Sequence, residues 1–178
     1  MDFAKIKQVI TLFPDFPQPG VSFKDISPLL ENPDYFTFIV DSMADVVKKM
    51  QVNKIVAIDA RGFLFGSAVA YTLKKGLVIC RKKGELPGQL VSETYQYEYA
   101  TSEISIQEDK LNPTDRIVII DDVLATGNTA VATYKIIEKR AHAGGFVSLI
   151  ELDSLNGRKN LLNSTHLKDA DIVSFIHY

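Results

Sequence analysis

Apolar runs short enough for buried strands recur along this chain, and between them apolar residues return at helical spacing. Ile117, Val118, Ile119 and Ile120 form the most uniform run, four β-branched residues followed by Asp121 and Asp122. Such a run fits a strand covered on both faces, as in a parallel sheet. Similar runs are Lys54–Asp59, Leu77–Arg81, Phe146–Leu152 and Asp171–Ile176. Helical spacing appears over residues 2–12, with Phe3, Ile6, Ile10 and Phe13 along one side. It returns after Asn32-Pro33, which suits N-cap and N1 positions, with Ile39, Val40, Met43, Val46, Val47 and Met50 as the stripe. Phe63–Lys74 and the stretch after Thr129 carry it too; the latter places Ala130, Tyr134, Ile137 and Ala141 together, with Gly144-Gly145 as the stop. Residues 156–162 suit a turn and a short helix. Strands and helices alternating at this interval predict an α/β fold, a mostly parallel central sheet flanked by helices, in one domain over residues 1–178.

Two segments break the alternation. Residues 13–30, FPDFPQPGVSFKDISPLL, hold four prolines and a glycine, which forbid regular helix and central strand. Phe13, Phe16, Val21, Phe23 and Ile26 make the segment too apolar for a disordered linker, so it reads as a rigid packed loop, serving either the core or a ligand. Residues 84–108 alternate with period 2 around Tyr95, Tyr97 and Tyr99, and Ser102–Ile106 suits a return strand. A glycine-flanked excursion of this kind is a surface hairpin or a lid over a site.

Composition narrows the classes without choosing among them. The 178 residues, 46% hydrophobic and 24% charged, are ordinary for a globular domain, and a formal net charge of −2 offers no polyanion-binding surface. Nucleic acid is therefore not an expected partner. No apolar run approaches the roughly 20 residues of a membrane span. The N-terminus shows no signal-peptide pattern. A single cysteine, Cys80, permits no internal disulfide and suits a reducing, cytoplasmic setting.

Chemistry concentrates where the strands end. Asp121-Asp122 stands where open α/β sheets place their ligand crevice. Ala125, Thr126, Gly127, Asn128 and Thr129 follow, small residues just before a helix, where backbone N–H groups make a phosphate site. Carboxylates beside that site suit the hydroxyls of a sugar carrying the phosphate. Asp59-Ala60-Arg61-Gly62 ends a second strand, and Arg81-Lys82 a third. Cations at two strand ends and amides at another fit a ligand with phosphates at both ends. The chain lacks GxxxxGK[ST] and GxGxxG, which argues against a P-loop and a dinucleotide site. His142, His166 and His177 lack metal-ligand spacing, and Cys80 reads as a core residue.

An apolar run, then DD, then ATG and T resembles the signature of the type I phosphoribosyltransferases. FPDFPQPGVSFKDISPLL, ARGFLFG at 60–66, RKKGELPG at 81–88 and Glu98-Tyr99 narrow the resemblance to the adenine-specific family, over nearly the whole chain. The resemblance implies transfer of phosphoribosyl from phosphoribosyl pyrophosphate to adenine, with Mg²⁺ carried mainly by the substrate and no direct protein ligand. It implies a hood at 13–30, a flexible catalytic lid at 84–106 and a homodimer. Asp121 and Asp122 would bind the ribose hydroxyls, and Ala125, Thr126, Gly127, Asn128 and Thr129 the 5′-phosphate. Asp59, Ala60, Arg61, Arg81 and Lys82 would bind pyrophosphate, with a non-proline cis peptide in the Asp59–Gly62 turn. Val21, Ser22, Phe23 and Lys24 from the hood would meet adenine, and Val123 would face the other side of the ring. Glu98, Tyr99 and Arg61 would be the catalytic set, with Glu98 as general base.

Three positions depart from the family pattern. Asn128 replaces a common second glycine, Lys24 a frequent arginine, and Glu85 a position often basic. Asparagine tolerates positive φ better than most residues, so the loop is expected to survive the change at 128. Two other functions fit part of the pattern, a transferase for another purine base and a non-catalytic sensor of phosphoribosyl pyrophosphate. The hood argues against the first, and the lack of a basic recognition helix against the second.

Overall fold

A computed structural model describes residues 1–97 and 100–178, with the backbone alone at Tyr97 and Ala100. The expected Glu98 and Tyr99 contributions lie outside the described residues. The chain divides into two compact units, Met1–Ser42 and Met43–Tyr178.

In the first unit, Asp2 caps helix α1 (Phe3–Val9) by accepting from Lys5 N at 2.8 Å. The helix stops earlier than its apolar spacing suggests. Phe13 belongs instead to strand β1 (Thr11–Phe13), which pairs antiparallel with β2 (Phe23–Asp25), Phe13 opposite Phe23. The proline-rich segment thus closes a short two-stranded hairpin through a long connection, residues 14–22, and then enters a helix, where a packed loop was expected. Its connection carries a cis Phe16–Pro17 peptide and left-handed Asp15 and Gly20, and Asp15 Oδ1 accepts from Gly20 N at 2.7 Å. Phe16 and Phe23 meet edge to face at 5.3 Å. Helix α2 (Ser27–Glu31) admits Pro28 in its first turn, where a missing N–H costs nothing. Asn32 caps α3 (Pro33–Lys49) through Oδ1 to Asp34 N and Tyr35 N, as the sequence predicts.

The second unit is built on a seven-stranded sheet. Its parallel centre comprises β3 (Lys54–Ile58), β4 (Gly76–Lys82), β7 (Arg116–Leu124), β8 (His142–Glu151) and β9 (Ile172–His177), and its antiparallel edge is β5 (Leu90–Tyr97) with β6 (Ala100–Gln107). The order is β5-β6-β4-β3-β7-β8-β9. Helices α4 (Gly62–Leu73), α5 (Asn128–Glu138) and α6 (Gly157–Ser164) complete the alternation. The chain runs from β3 outward to β4 on one side and later to β7 on the other. The crevice beyond the carboxyl ends of β3 and β7 is therefore a topological switch point.

Central strands are apolar throughout because both faces are covered: Ile55, Val56, Ile117, Val118, Ile119, Ile120, Phe146 and Val147 are fully buried. The period-2 segment forms the hairpin expected of it, but its root belongs to the sheet. Ile104 pairs with Lys82 of β4, and Ile104 and Ile106 are buried in the same core as Ile117 and Ile119.

Three boundaries differ from the sequence reading. Strand β7 continues through Asp121 and Asp122 to Leu124, pairing with β8 as far as Glu151. Helix α5 ends at Glu138, well before Gly144-Gly145, and those glycines lie inside β8. They serve close packing: a Cβ on Gly144 would stand 2.9 Å from Val52 Cγ1, and one on Gly145 2.8 Å from Met50 Sδ. The β7–β8 register shifts between Ile117 and Val118, so that Ala143 and Gly145 are the paired residues and Gly144 is the extra one, a β-bulge.

At the opposite end of the sheet, Asp115 ties β3 to β7. Its carboxylate accepts from Lys54 Nζ, from Asn53 Nδ2 at 3.0 Å and from Asn112 N at 3.0 Å. Burial alone would raise its pKa, but these bonds outweigh it and hold the carboxyl below its ordinary value.

Candidate active site

A cavity of about 420 Å³ opens at the carboxyl ends of β3, β4 and β7. It brings together Asp59, Ala60, Arg61, Lys82, Asp121, Asp122 and Thr129, with Ile58, Cys80, Tyr95, Ser102 and Ile104 completing the walls. The sequence-predicted acids and two of the three predicted cations thus share one wall system. Tyr95 and Ser102 had no individual signal beyond the period-2 pattern; they reach the cavity because their hairpin is rooted beside β4.

The turn after β3 runs tightly. The Asp59–Ala60 peptide is cis, as the resemblance implies. Gly62 then brings α4 so close to β7 that a Cβ there would stand 2.8 Å from Ile120 O and 3.0 Å from Asp121 Oδ1. Only glycine permits this approach. It places Arg61 Nε 2.8 Å from Asp122 Oδ2. The approach is out of line for a hydrogen bond, and that buried oxygen has none among the described residues.

Neighbouring acids so placed are costly to ionise. Burial pushes the Asp121 carboxyl well above its ordinary value, and the Asp122 charge beside it pushes the same way. Burial also raises Asp122, while the Arg61 guanidinium pulls it down. Asp121 keeps part of its surface in the cavity and accepts from Asp122 N at 2.8 Å, so its desolvation is that of a cleft wall rather than of the core. Bound donors or cations would lower both.

Arg81 adjoins the cavity through Asp59. Its Nε lies 3.3 Å from Asp59 Oδ2, its Nη2 3.0 Å from Glu85 Oε2, and its Nη1 donates to Glu85 O at 3.3 Å. The unusual Glu85 is therefore a partner of Arg81. Cys80 is fully buried beside Thr133 Oγ1 at 3.7 Å, and burial pushes its thiol up to about 12. It backs the cavity as an inert core group, as the sequence predicts.

The loop Ala125–Gly127 leads into α5, with Gly127 at φ 78° as its N-cap. Left-handed backbone is needed there, and space is lacking as well: a Cβ would stand 2.6 Å from Gly157 O. Asn128 needs no such conformation. It is the first residue of α5, outside the left-handed region, so the reason given for asparagine from sequence does not apply. Its side chain is used instead, accepting from Asn160 Nδ2 and donating to Gln96 O, both at 2.8 Å. Asn160 Nδ2 also donates to Thr126 O at 2.9 Å. Gly157 and Asn160 were missed by sequence reasoning, since a short polar helix offers no motif.

Val123 is half-buried on β7 and does not line the cavity. Val21, Ser22, Phe23 and Lys24 lie in the first unit, on or beside β2. Ser22 O accepts from Lys24 Nζ at 2.8 Å, and Val21 O from Phe16 N at 3.1 Å.

Residues 29–149 match the family model described as phosphoribosyl transferase domain. A curated relative from Thermosipho melanesiensis, named adenine phosphoribosyltransferase, is 45% identical, the alignment covering 98% of this chain and 97% of the relative. The crystal structure of adenine phosphoribosyltransferase from Thermoanaerobacter pseudethanolicus superposes with a TM-score of 0.92 at 38% identity, over 98% of this chain and 99% of that one. The Giardia lamblia enzyme complexed with 9-deazaadenine gives 0.92 at 32% identity, over 100% and 98%. With a matching domain, near-complete coverage and an acid pair and amide loop at the switch point of the sheet, the chain belongs to the phosphoribosyl transferase domain family.

Proposed function

We propose that this protein transfers the 5-phosphoribosyl group of phosphoribosyl pyrophosphate to N9 of adenine, giving AMP and pyrophosphate, a purine-salvage reaction. The observation that carries the reading is the joining, on one cavity, of the Asp121-Asp122 pair with the Asp59–Arg61 turn. They suit the sugar and the pyrophosphate of a ligand that bears a sugar between phosphates. Relatives named for adenine over nearly the full chain select the base.

Asp121 and Asp122 accept from the ribose hydroxyls. The backbone amides of Ala125–Thr129, with the Thr126 and Thr129 hydroxyls, hold the 5′-phosphate. Arg61, Lys82 and Arg81 receive the pyrophosphate, whose charge grows as its bond to the ribose breaks. Arg81 must exchange Glu85 for the leaving group. Mg²⁺, bound mainly through the substrate, fits oxygen-rich surroundings of this kind and neutralises pyrophosphate charge. The residues expected to contact adenine, from the family pattern, are Val21, Ser22, Phe23, Lys24 and Val123. Glu98, with Tyr99 beside it, takes the N9 proton.

A homodimer and a cytoplasmic setting belong to the same reading. Leu64, Tyr71, Leu77 and Ile79 leave apolar surface exposed on α4 and β4, which suits a second copy. Among the described residues no helix is long and apolar enough to cross a membrane.

Turnover with adenine, hypoxanthine and xanthine tests the assignment. AMP formation with Mg²⁺ and phosphoribosyl pyrophosphate supports it; no turnover with adenine overturns it. In Glu98→Gln, unchanged turnover at every pH removes Glu98 as the base.

A further inference from the structure

We propose that Asn128 is a positioning residue that couples the 5′-phosphate loop to the β5–β6 hairpin, so that a sugar phosphate in the loop steadies β5. The proposal rests on the loop's taking a 5′-phosphate, as in the reading above, and not on which base is used.

Three separate segments meet at one amide. Asn128 Nδ2 donates to Gln96 O on β5, and Asn128 Oδ1 accepts from Asn160 Nδ2 on α6. The same Asn160 nitrogen donates to Thr126 O within the loop. A primary amide carries donor and acceptor in one rigid plane, so this short side chain bridges β5 and α6 at once. Glycine at 128, common in the family pattern, would leave both partners unlinked. Nor is the contact isolated. Lys139, just beyond the other end of α5, donates from Nζ to Ser92 O at 3.0 Å and pairs with Glu93 at 2.8 Å. Helix α5 is therefore fastened to β5 at both ends, and only the Asn128 end begins at the phosphate loop. A ligand that fixes the loop amides fixes the start of α5, and through Asn128 it restrains the Gln96 carbonyl.

By linkage, that restraint must appear as a ligand-dependent change in the opening of β5. Hydrogen exchange over residues 90–97 of the full-length protein reads it, with saturating ribose 5-phosphate as the probe and calorimetry to verify saturation. In the unmodified chain, ribose 5-phosphate is expected to slow exchange in β5 on the order of fivefold or more. In Asn128→Gly at saturation, slowing persists around residues 125–131 and disappears from β5. Asn160→Ala, which keeps the bond to Gln96 but frees it from α6 and Thr126, is expected to weaken the effect in β5. A variant that merely lost stability would exchange faster with and without ligand and keep the ratio between the two.

Equal ligand-dependent slowing of β5 in Asn128→Gly and the unmodified chain overturns the proposal. So does ribose 5-phosphate binding without any slowing in β5, or no binding at all. Binding with the expected slowing but no turnover of adenine upholds the coupling and refutes only the choice of base.

Discussion

Replacing Gly157 by alanine sets helix propensity against packing. Gly157 opens α6 outside the left-handed region, so alanine is admissible there and, on propensity alone, stabilises by up to about 1 kcal/mol. Its Cβ, however, would stand 2.2 Å from Ala125 O and 3.1 Å from Gly127 N, both backbone atoms. Ordinary contact begins near 3.4 Å, so α6 and the loop must part by about 1 Å. Helix α6 resists moving: Leu161 is fully buried, and Arg158 donates to both Glu151 carboxylate oxygens at 2.7–3.2 Å. The loop therefore takes much of the shift. Overpacking of this kind costs about 1–3 kcal/mol, enough to reverse the sign expected from propensity. Moving the amides proposed to hold the 5′-phosphate by about 1 Å is expected to cost up to about 10²-fold in kcat/KM for phosphoribosyl pyrophosphate. Urea unfolding and steady-state kinetics measure the two effects. A Gly157→Ala protein as stable as its parent, with unchanged KM and kcat, would refute the close approach of α6 to the loop.

Other perturbations follow from the charges. Asp121 has a raised folded pKa, so the unliganded fold holds its proton more tightly than the unfolded chain, and this acid lowers stability as pH rises above its ordinary 3.8. Asp121→Asn is expected to stabilise the ligand-free protein at pH 7, with the gain shrinking toward about pH 4 in denaturant titrations, while impairing catalysis. Asp115 has the opposite sign: its lowered pKa supplies stability above 3.8 that is lost as pH falls through the folded value. Asp115→Ala is expected to cost about 2–4 kcal/mol near neutral pH by urea unfolding, since Lys54, Asn53 and the Asn112 amide lose one shared acceptor. Cys80, buried with its thiol raised to about 12, is expected to resist iodoacetamide in the folded protein and to react only as the chain unfolds.

Much of the architecture was legible because parallel strands are hydrophobic on both faces, a pattern that survives without knowledge of neighbours. Ile117–Ile120, Lys54–Ile58 and Phe146–Ile150 declare themselves in this way. Polar ends of strands do not, and β7 runs through Asp121 and Asp122 because its pairing with β8 continues where hydrophobicity stops. Gly144 and Gly145 misled for a related reason. Glycine marks a helix stop or a close approach equally well, and only the positions of Val52, Arg116 and Met50 distinguish the two. At the site, Asp59, Arg61, Lys82, Asp121, Asp122 and Thr129 were legible from their places after strands and converge on one cavity. Gly157 and Asn160 act on the loop from about thirty residues away, through a carbonyl contact and a side-chain hydrogen bond that leave no periodic trace. The proline-rich segment was legible as rigid, but not as paired strands, since each strand has only three residues.

The rooting of the hairpin divides it into parts that evolution can treat differently. Near β4, Ile104 and Ile106 point into the shared core, and a one-residue insertion there would turn both faces over. Farther out, beyond the pairing of Tyr95 with Ser102, no buried residue fixes the register among the described positions. Chain length can change there in pairs of residues without disturbing the sheet. The length of the outer part can therefore vary while its base stays constant, a division of labour in which the sheet carries the cost of folding and the tip does not.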